Sequence, residues 1–198
     1  MAAISALLTA TPAIILMLTS AGIAIAQPDS LGDRFPYREF IDEIAAGAGL
    51  EPIHPPASFP DSVRELRVFI GFGTRFPQAF VRIRQAGADT TGTLYHWWPL
   101  QVQEGTSARA GWIVEAVTPA TPPDWGALLR ELDSIGIMQI PQQPDYEPGN
   151  DGTTLAVQFR YGDAYRGYSY WQPGEKKDDP AELLAGKITA RLLGLFGP

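Results

Sequence analysis

The chain has 198 residues, with 22 Asp and Glu against 15 Lys and Arg, a formal net charge of −7 and no cysteine. That length suits one domain of ordinary size, and the acidic balance argues against a nucleic-acid or anionic-membrane partner, since phosphate neutralisation needs a basic surface. Without thiols there are no disulfides, no cysteine nucleophile and no Cys-ligated zinc or iron–sulfur site.

Residues 1–26 carry no charged side chain, centre on Ile14-Ile15-Leu16-Met17-Leu18 and end in Ala24-Ile25-Ala26. The small-x-small ending is the pattern that precedes a signal-peptidase cut, so the expected mature start is Gln27. The n-region lacks Lys and Arg, and the apolar stretch is long enough to span a bilayer as an uncleaved anchor. Pro12 and the cleavage pattern favour a removed signal. On either reading the remaining chain lies outside the cytoplasm, in the periplasm or beyond the cell. Membrane contact is expected only through an uncleaved N-terminal segment.

Residues 27–36 read as a loose lead-in. Phe40, Ile41, Ile44 and Ala45 recur at helical spacing opposite Arg38, Glu39, Asp42 and Glu43, which predicts a helix over 37–46 ended by Gly47 and Gly49. Four prolines within 51–61 make an extended connector. The expected organisation is thus a signal peptide or anchor at 1–26, an N-terminal helix with its Pro-rich connector at 27–61, and an α+β domain at 62–198.

Strands follow. Residues 65–73 place Leu66, Val68, Ile70 and Phe72 on one face. Residues 78–85 set Val81 and Ile83 against Arg82 and Arg84. Residues 92–99 carry Leu94, Tyr95, His96, Trp97 and Trp98, and residues 109–117 align Trp112, Val114 and Ala116. Short connections rich in Gly and Thr predict an antiparallel meander. Thr121 then reads as a helix cap, with Pro122 at the first helical position and Asp124 after it. Trp125, Leu128, Leu129, Leu132 and Ile135 form the buried stripe up to Gly136. A short strand is expected at 137–140, before a Pro-rich loop.

The strongest local signal is a hairpin around Gly162-Asp163, because Gly accepts positive φ at the first central position of a type II′ turn. A two-residue loop sets Val157 against Tyr168 and Leu155 against Tyr170. One face then carries Leu155, Val157, Phe159, Tyr161, Ala164, Tyr168 and Tyr170, with Arg166 as its one charged member. The other carries Ala156, Gln158, Arg160, Tyr165, Gly167 and Ser169. A three-residue loop would reverse the second strand. Finally, Asp179-Pro180-Ala181-Glu182 opens a helix whose Leu184, Ile188, Leu192 and Leu195 close the core. The fold class predicted is α+β: an antiparallel sheet of about six strands, meander plus C-terminal hairpin, with helices mainly on one face.

Motifs for chemistry are sparse. His54 sits in the proline connector and reads as a solvated loop residue. His96 reads as a structural histidine in an aromatic patch, or as a general base whose Ser or Asp the fold would bring near. Two histidines so placed, without cysteine, do not make a zinc site. Residues 145–152 collect oxygen ligands but miss the calcium-loop pattern and read as a polar turn. No metal or cofactor is expected. Arg160, Tyr165 and Trp171 project from the hairpin beside small Gly167 and Ser169, and Trp97 and His96 lie on an aromatic strand. Flat aromatics and an arginine around small residues suit a shallow docking surface for a sugar, a peptide or a partner protein. Burial under a second layer, such as the N-terminal helix, accounts for the same pattern. The function expected is an exported binding or interaction module without catalysis, the alternative being a small envelope hydrolase using His96.

Overall fold

Among the described residues, six strands form one open antiparallel sheet in the order β4-β3-β2-β1-β5-β6, flanked by three helices. In chain order these are α1 (Arg38–Gly47), β1 (Val63–Gly71), β2 (Ala79–Ala86), β3 (Asp89–Pro99), β4 (Trp112–Val117), α2 (Trp125–Ile135), β5 (Thr154–Tyr161), β6 (Ala164–Trp171) and α3 (Pro180–Leu193). The computed structural model describes residues 35, 37–55, 57, 59–72, 78–99, 111–144 and 152–196. The segment expected as a signal peptide or anchor, 1–26, and most of the polar turn at 145–152 lie outside the described residues.

The α+β architecture with a six-stranded antiparallel sheet is the one expected. β1 to β4 are the meander, and the β5–β6 hairpin joins it by pairing β5 with the free side of β1. The hairpin adopts the two-residue register: Val157 faces Tyr168, Leu155 faces Tyr170 and Tyr161 faces Ala164. Gly162 has φ +52° and Asp163 is not left-handed, which fits a turn needing positive φ at its first central residue alone.

Each face of the sheet is covered. Leu66, Val68, Ile70, Val81, Ile83, Leu94, Leu155, Val157, Tyr168 and Tyr170 pack against Leu128, Leu129 and Leu132 of α2 and Ala185, Ile188 and Leu192 of α3. α1 takes the opposite face, where Ile41, Ile44 and Ala45 meet Phe69, Phe80, Tyr95, Trp97 and Ala156. Two of three helices therefore share one face, and the third closes the other.

Several local expectations shift. The cap of α2 is Asp124, whose Oδ1 accepts from Ala127 N at 2.9 Å, in place of Thr121. A carboxylate one residue before the helix satisfies an orphan amide directly, so Thr121 is not needed. Residues 137–140 are a turn, not a strand. Their carbonyls are taken by side chains of β6: Arg166 donates to Met138 O (2.8 Å) and Ile140 O (2.6 Å), and the Tyr168 hydroxyl donates to Ile137 O (2.8 Å). Phe72 leaves the face of Ile70. Gly71 at φ +133° and Phe72 at φ +66° turn the chain, and the Phe72 ring joins the α1 side.

The outer edge of β6 is closed by glutamines. Ser169 N donates to Gln142 Oε1 (3.0 Å) and Trp171 N to Gln143 Oε1 (2.6 Å), while Gln142 Nε2 returns to Ser169 O (3.3 Å). Gln143 is held in turn by Glu182, the buried carboxylate in the first turn of α3, at 3.1 Å. Side-chain amides thus occupy the positions a seventh strand would take, which blunts an aggregation-prone edge. Replacing Gln142 and Gln143 together by Leu should lower stability by about 1–3 kcal/mol, the cost of an amide left without its acceptor. Sedimentation velocity should also show concentration-dependent association beyond that of the wild type. Unchanged sedimentation and unchanged urea midpoint would mean that the two amides do not guard this edge.

Candidate functional site

The face under α1 is organised in rows across the strands. The row Phe69–Phe80–Tyr95 is a ladder of stacked rings, with centroids 4.7 Å and 4.3 Å apart. Beside it runs the row Arg82–Arg67–Gln158–Gly167, and beyond that Arg84–Glu65–Arg160–Tyr165. Stacked aromatics therefore lie directly against a polar band, and both are roofed by the N-terminal segment.

Glu65 is the hub of the polar band. Its Oε1 accepts from Arg67 Nε (2.8 Å) and Arg82 Nε (3.0 Å), and its Oε2 from Arg82 Nη2 (2.9 Å). Glu65 and Arg67 are each only 2% exposed. Burial pushes the Glu65 carboxyl up, but the Arg82 hydrogen bonds and the charges of Arg67 and Arg82 outweigh it and hold the group below its ordinary value. Arg67 Nη2 also donates to Glu51 O at 2.7 Å, tying the connector to β1.

The sequence-derived site residues fall in separate places. Arg160 is buried at 4% exposure, donating to Ile53 O (3.0 Å) and Gly162 O (2.6 Å). Its guanidinium is thus committed to connector and turn. Tyr165 is half-buried, and its ring meets His54 edge-on at 6.2 Å. Burial, then the charge of Asp42, push its phenol up to about 12, while Gln158, Arg38 and Arg67 pull it back. Trp171 is half-buried at the other end of β6, about 20 Å from Tyr165 at the rise of an antiparallel strand. It packs its ring over Gly152. Tyr165 and Trp171 both keep some exposure, but they do not share one patch.

Trp97 belongs to an aromatic group at the far end of the sheet. Phe40 lies 4.5 Å from Trp112, 5.3 Å from Phe72 and 6.0 Å from Trp97, and Tyr37 lies 4.8 Å from Phe72. Tyr37, Phe40, Phe72 and Trp112 are half-buried, whereas Trp97 is buried and its Nε1 has no acceptor among the described residues. Trp112 Nε1 donates to Glu43 Oε2 at 3.3 Å. His96 is on the opposite face, stacked on Phe196 at 5.3 Å, with Nε2 buried and unpaired among the described residues.

Two residues were not found by sequence reasoning. His54 is not a solvated loop side chain: Nε2 lies 2.8 Å from Asp42 Oδ2 and Nδ1 2.8 Å from Pro55 O. Asp42, read as the polar side of α1, faces the sheet and also accepts from Gln158 Nε2 at 3.2 Å. Helical spacing assigned Asp42 to solvent because it could not anticipate a polar row beneath it. Among the described residues, no three metal-ligating side chains cluster, and no helix is long and apolar enough to cross a membrane.

No protein-family model matches the chain, and no curated protein matches it either. The fold and this face therefore define it alone: an α+β protein with a six-stranded antiparallel sheet and a buried ionic band beneath its N-terminal helix.

Glu65→Gln removes the counter-charge of two arginines and should cost about 3–5 kcal/mol at neutral pH, read by urea unfolding. The folded-state pKa of Glu65 lies below its ordinary value of 4.5, so its contribution is complete above that pH and is lost as pH falls through the folded value. The stability gap between wild type and Glu65→Gln should shrink below pH 4.5. A gap constant down to acid unfolding would show that Glu65 is not the titrating anchor.

Proposed function

We propose that the chain is an exported binding module without catalysis, which engages a sugar, a peptide or a partner protein through the aromatic group of Tyr37, Phe40, Phe72, Trp97 and Trp112. One observation carries this reading: four of these five rings stay half-exposed while interlocked at one end of the sheet. Rings held this way offer flat apolar area at little conformational cost, the property that makes aromatics the usual anchors of recognition. Phe72 supports it further. A phenylalanine at φ +66° costs about 1–3 kcal/mol, and such strain collects where a side chain must be aimed.

The reading moves the centre of the docking surface. Trp97 stays within it as the buried floor. Arg160 serves the connector, and Tyr165, Trp171 and His96 stand elsewhere. The hydrolase alternative needs a carboxylate or hydroxyl at His96, and its Nε2 has no hydrogen-bond partner among the described residues.

Immobilised protein should retain a partner from host envelope extract, and Trp112→Ala should reduce that retention about tenfold, equivalent to about 1.4 kcal/mol. Equal retention by both, with the variant folded, would remove the aromatic group as the docking site. Export is tested separately. Intact-mass measurement of the protein from its host should give a form beginning at Gln27, whereas a form with Met1 in the membrane fraction would replace the removed signal by an anchor.

A further inference from the structure

Three polar atoms of the band beneath α1 have no partner among the described residues. Arg67 spends Nε on Glu65 and Nη2 on Glu51 O, leaving Nη1 without an acceptor among the described residues. Gln158 is fully buried, and Nε2 donates to Asp42 Oδ1. That bond fixes the amide's orientation, so Oε1 turns away from Asp42, and no donor among the described residues reaches it with ordinary geometry. The Tyr165 hydroxyl is drawn towards Gln158 yet is buried without closing a normal hydrogen bond.

The three converge. Arg67 and Gln158 are directly paired across β1 and β5, so their Cβ atoms are about 4.5–5.5 Å apart. Gly167 is opposite Gln158 on β6, and the Tyr165 hydroxyl lies 3.0 Å from where a Cβ on Gly167 would stand. Phe35 roofs the same spot, its ring 2.9 Å from that position. A side chain at 167 would crowd the Phe35 ring and the hydroxyl together.

The chemistry of the convergence selects its occupant. Arg67 Nη1 only donates, Gln158 Oε1 only accepts, and the Tyr165 hydroxyl does both. An anion would meet the Gln158 oxygen and the Asp42 charge, and a cation would meet Arg67. A small neutral molecule that accepts from Arg67, donates to Gln158 and exchanges a hydrogen bond with Tyr165 meets every requirement. Buried waters typically make about three hydrogen bonds to polar groups of this kind. We infer that one ordered water binds here, bridging Arg67 Nη1, Gln158 Oε1 and the Tyr165 hydroxyl. It is a structural ligand that links β1, β5 and β6 beneath the N-terminal layer.

A high-resolution crystal structure of the full chain should show a single peak about 2.7–3.2 Å from all three atoms. In solution, the Tyr165 ring protons should show cross-relaxation with a long-lived water. Gly167→Ala, which pushes the hydroxyl aside, and Gln158→Met, which removes the acceptor, should each abolish that signal. Should either variant fail to fold, the wild-type measurements decide alone. A dry site in which Tyr165 bonds Gln158 directly overturns the inference. So does density for a molecule with more than one non-hydrogen atom, or a water signal that survives in both folded variants.

Discussion

A carboxylate buried between two arginines sets the terms for half of this molecule. Glu65 lies on the central strand β1, and taking it out of water is costly unless its partners are held in place. Arg67 and Arg82 supply the charge, but Arg67 is itself buried and leans on Glu51 O. The ionic cluster therefore requires the segment after α1 to lie across the sheet. Arg160 repeats the arrangement by holding Ile53 O, and the His54–Asp42 contact ties that segment back to α1. Remove the roof and two guanidinium groups lose main-chain acceptors together.

The two faces of the sheet are consequently held by different physics. Under α2 and α3 the contacts are aliphatic, non-directional and tolerant of small shifts. Under α1 they combine stacked rings with directional hydrogen bonds, which admit one placement of the roof. That fixed placement keeps Tyr37 and Phe40 against Phe72, Trp97 and Trp112. The proposed docking group thus depends on a polar band two rows away, which sets the position of the helix bearing two of its rings.

Periodicity recovered what is repetitive. The hairpin register follows from Gly162-Asp163 and the alternation on either side, and the apolar stripes of α2 and α3 were legible because their spacing leaves one face to bury. What was not legible is the second layer. Glu65, Arg67 and Gln158 alternate with Leu66, Val68 and Val157 as a solvent-facing set would, so period alone treats them as exposed. Only the register between β1, β2 and β5 shows that the charges meet one another. Phe72 escaped for a related reason: period two places it with Ile70, and a left-handed backbone turn cancels that period. Arg160 looked like a ligand because main-chain acceptors from Ile53 and Gly162 leave no trace in sequence. Trp97 and His96 are adjacent in β3 and so face opposite ways, and their neighbours come from α1, β4 and the segment after α3.

The strand order carries a consequence for how the molecule is made. β1 lies at the centre of the sheet, yet its partner β5 is about ninety residues downstream, and contacts so distant form late. During synthesis the meander can assemble while one side of β1 stays open, the condition in which nascent sheets recruit strands from other chains. The residues that project from β1 during that interval include Glu65 and Arg67. Inward-pointing charges are a recognised defence of an open edge, since a foreign strand added there would have to carry them out of water. A buried ion cluster of the finished protein thereby acts as a gatekeeper for the unfinished one.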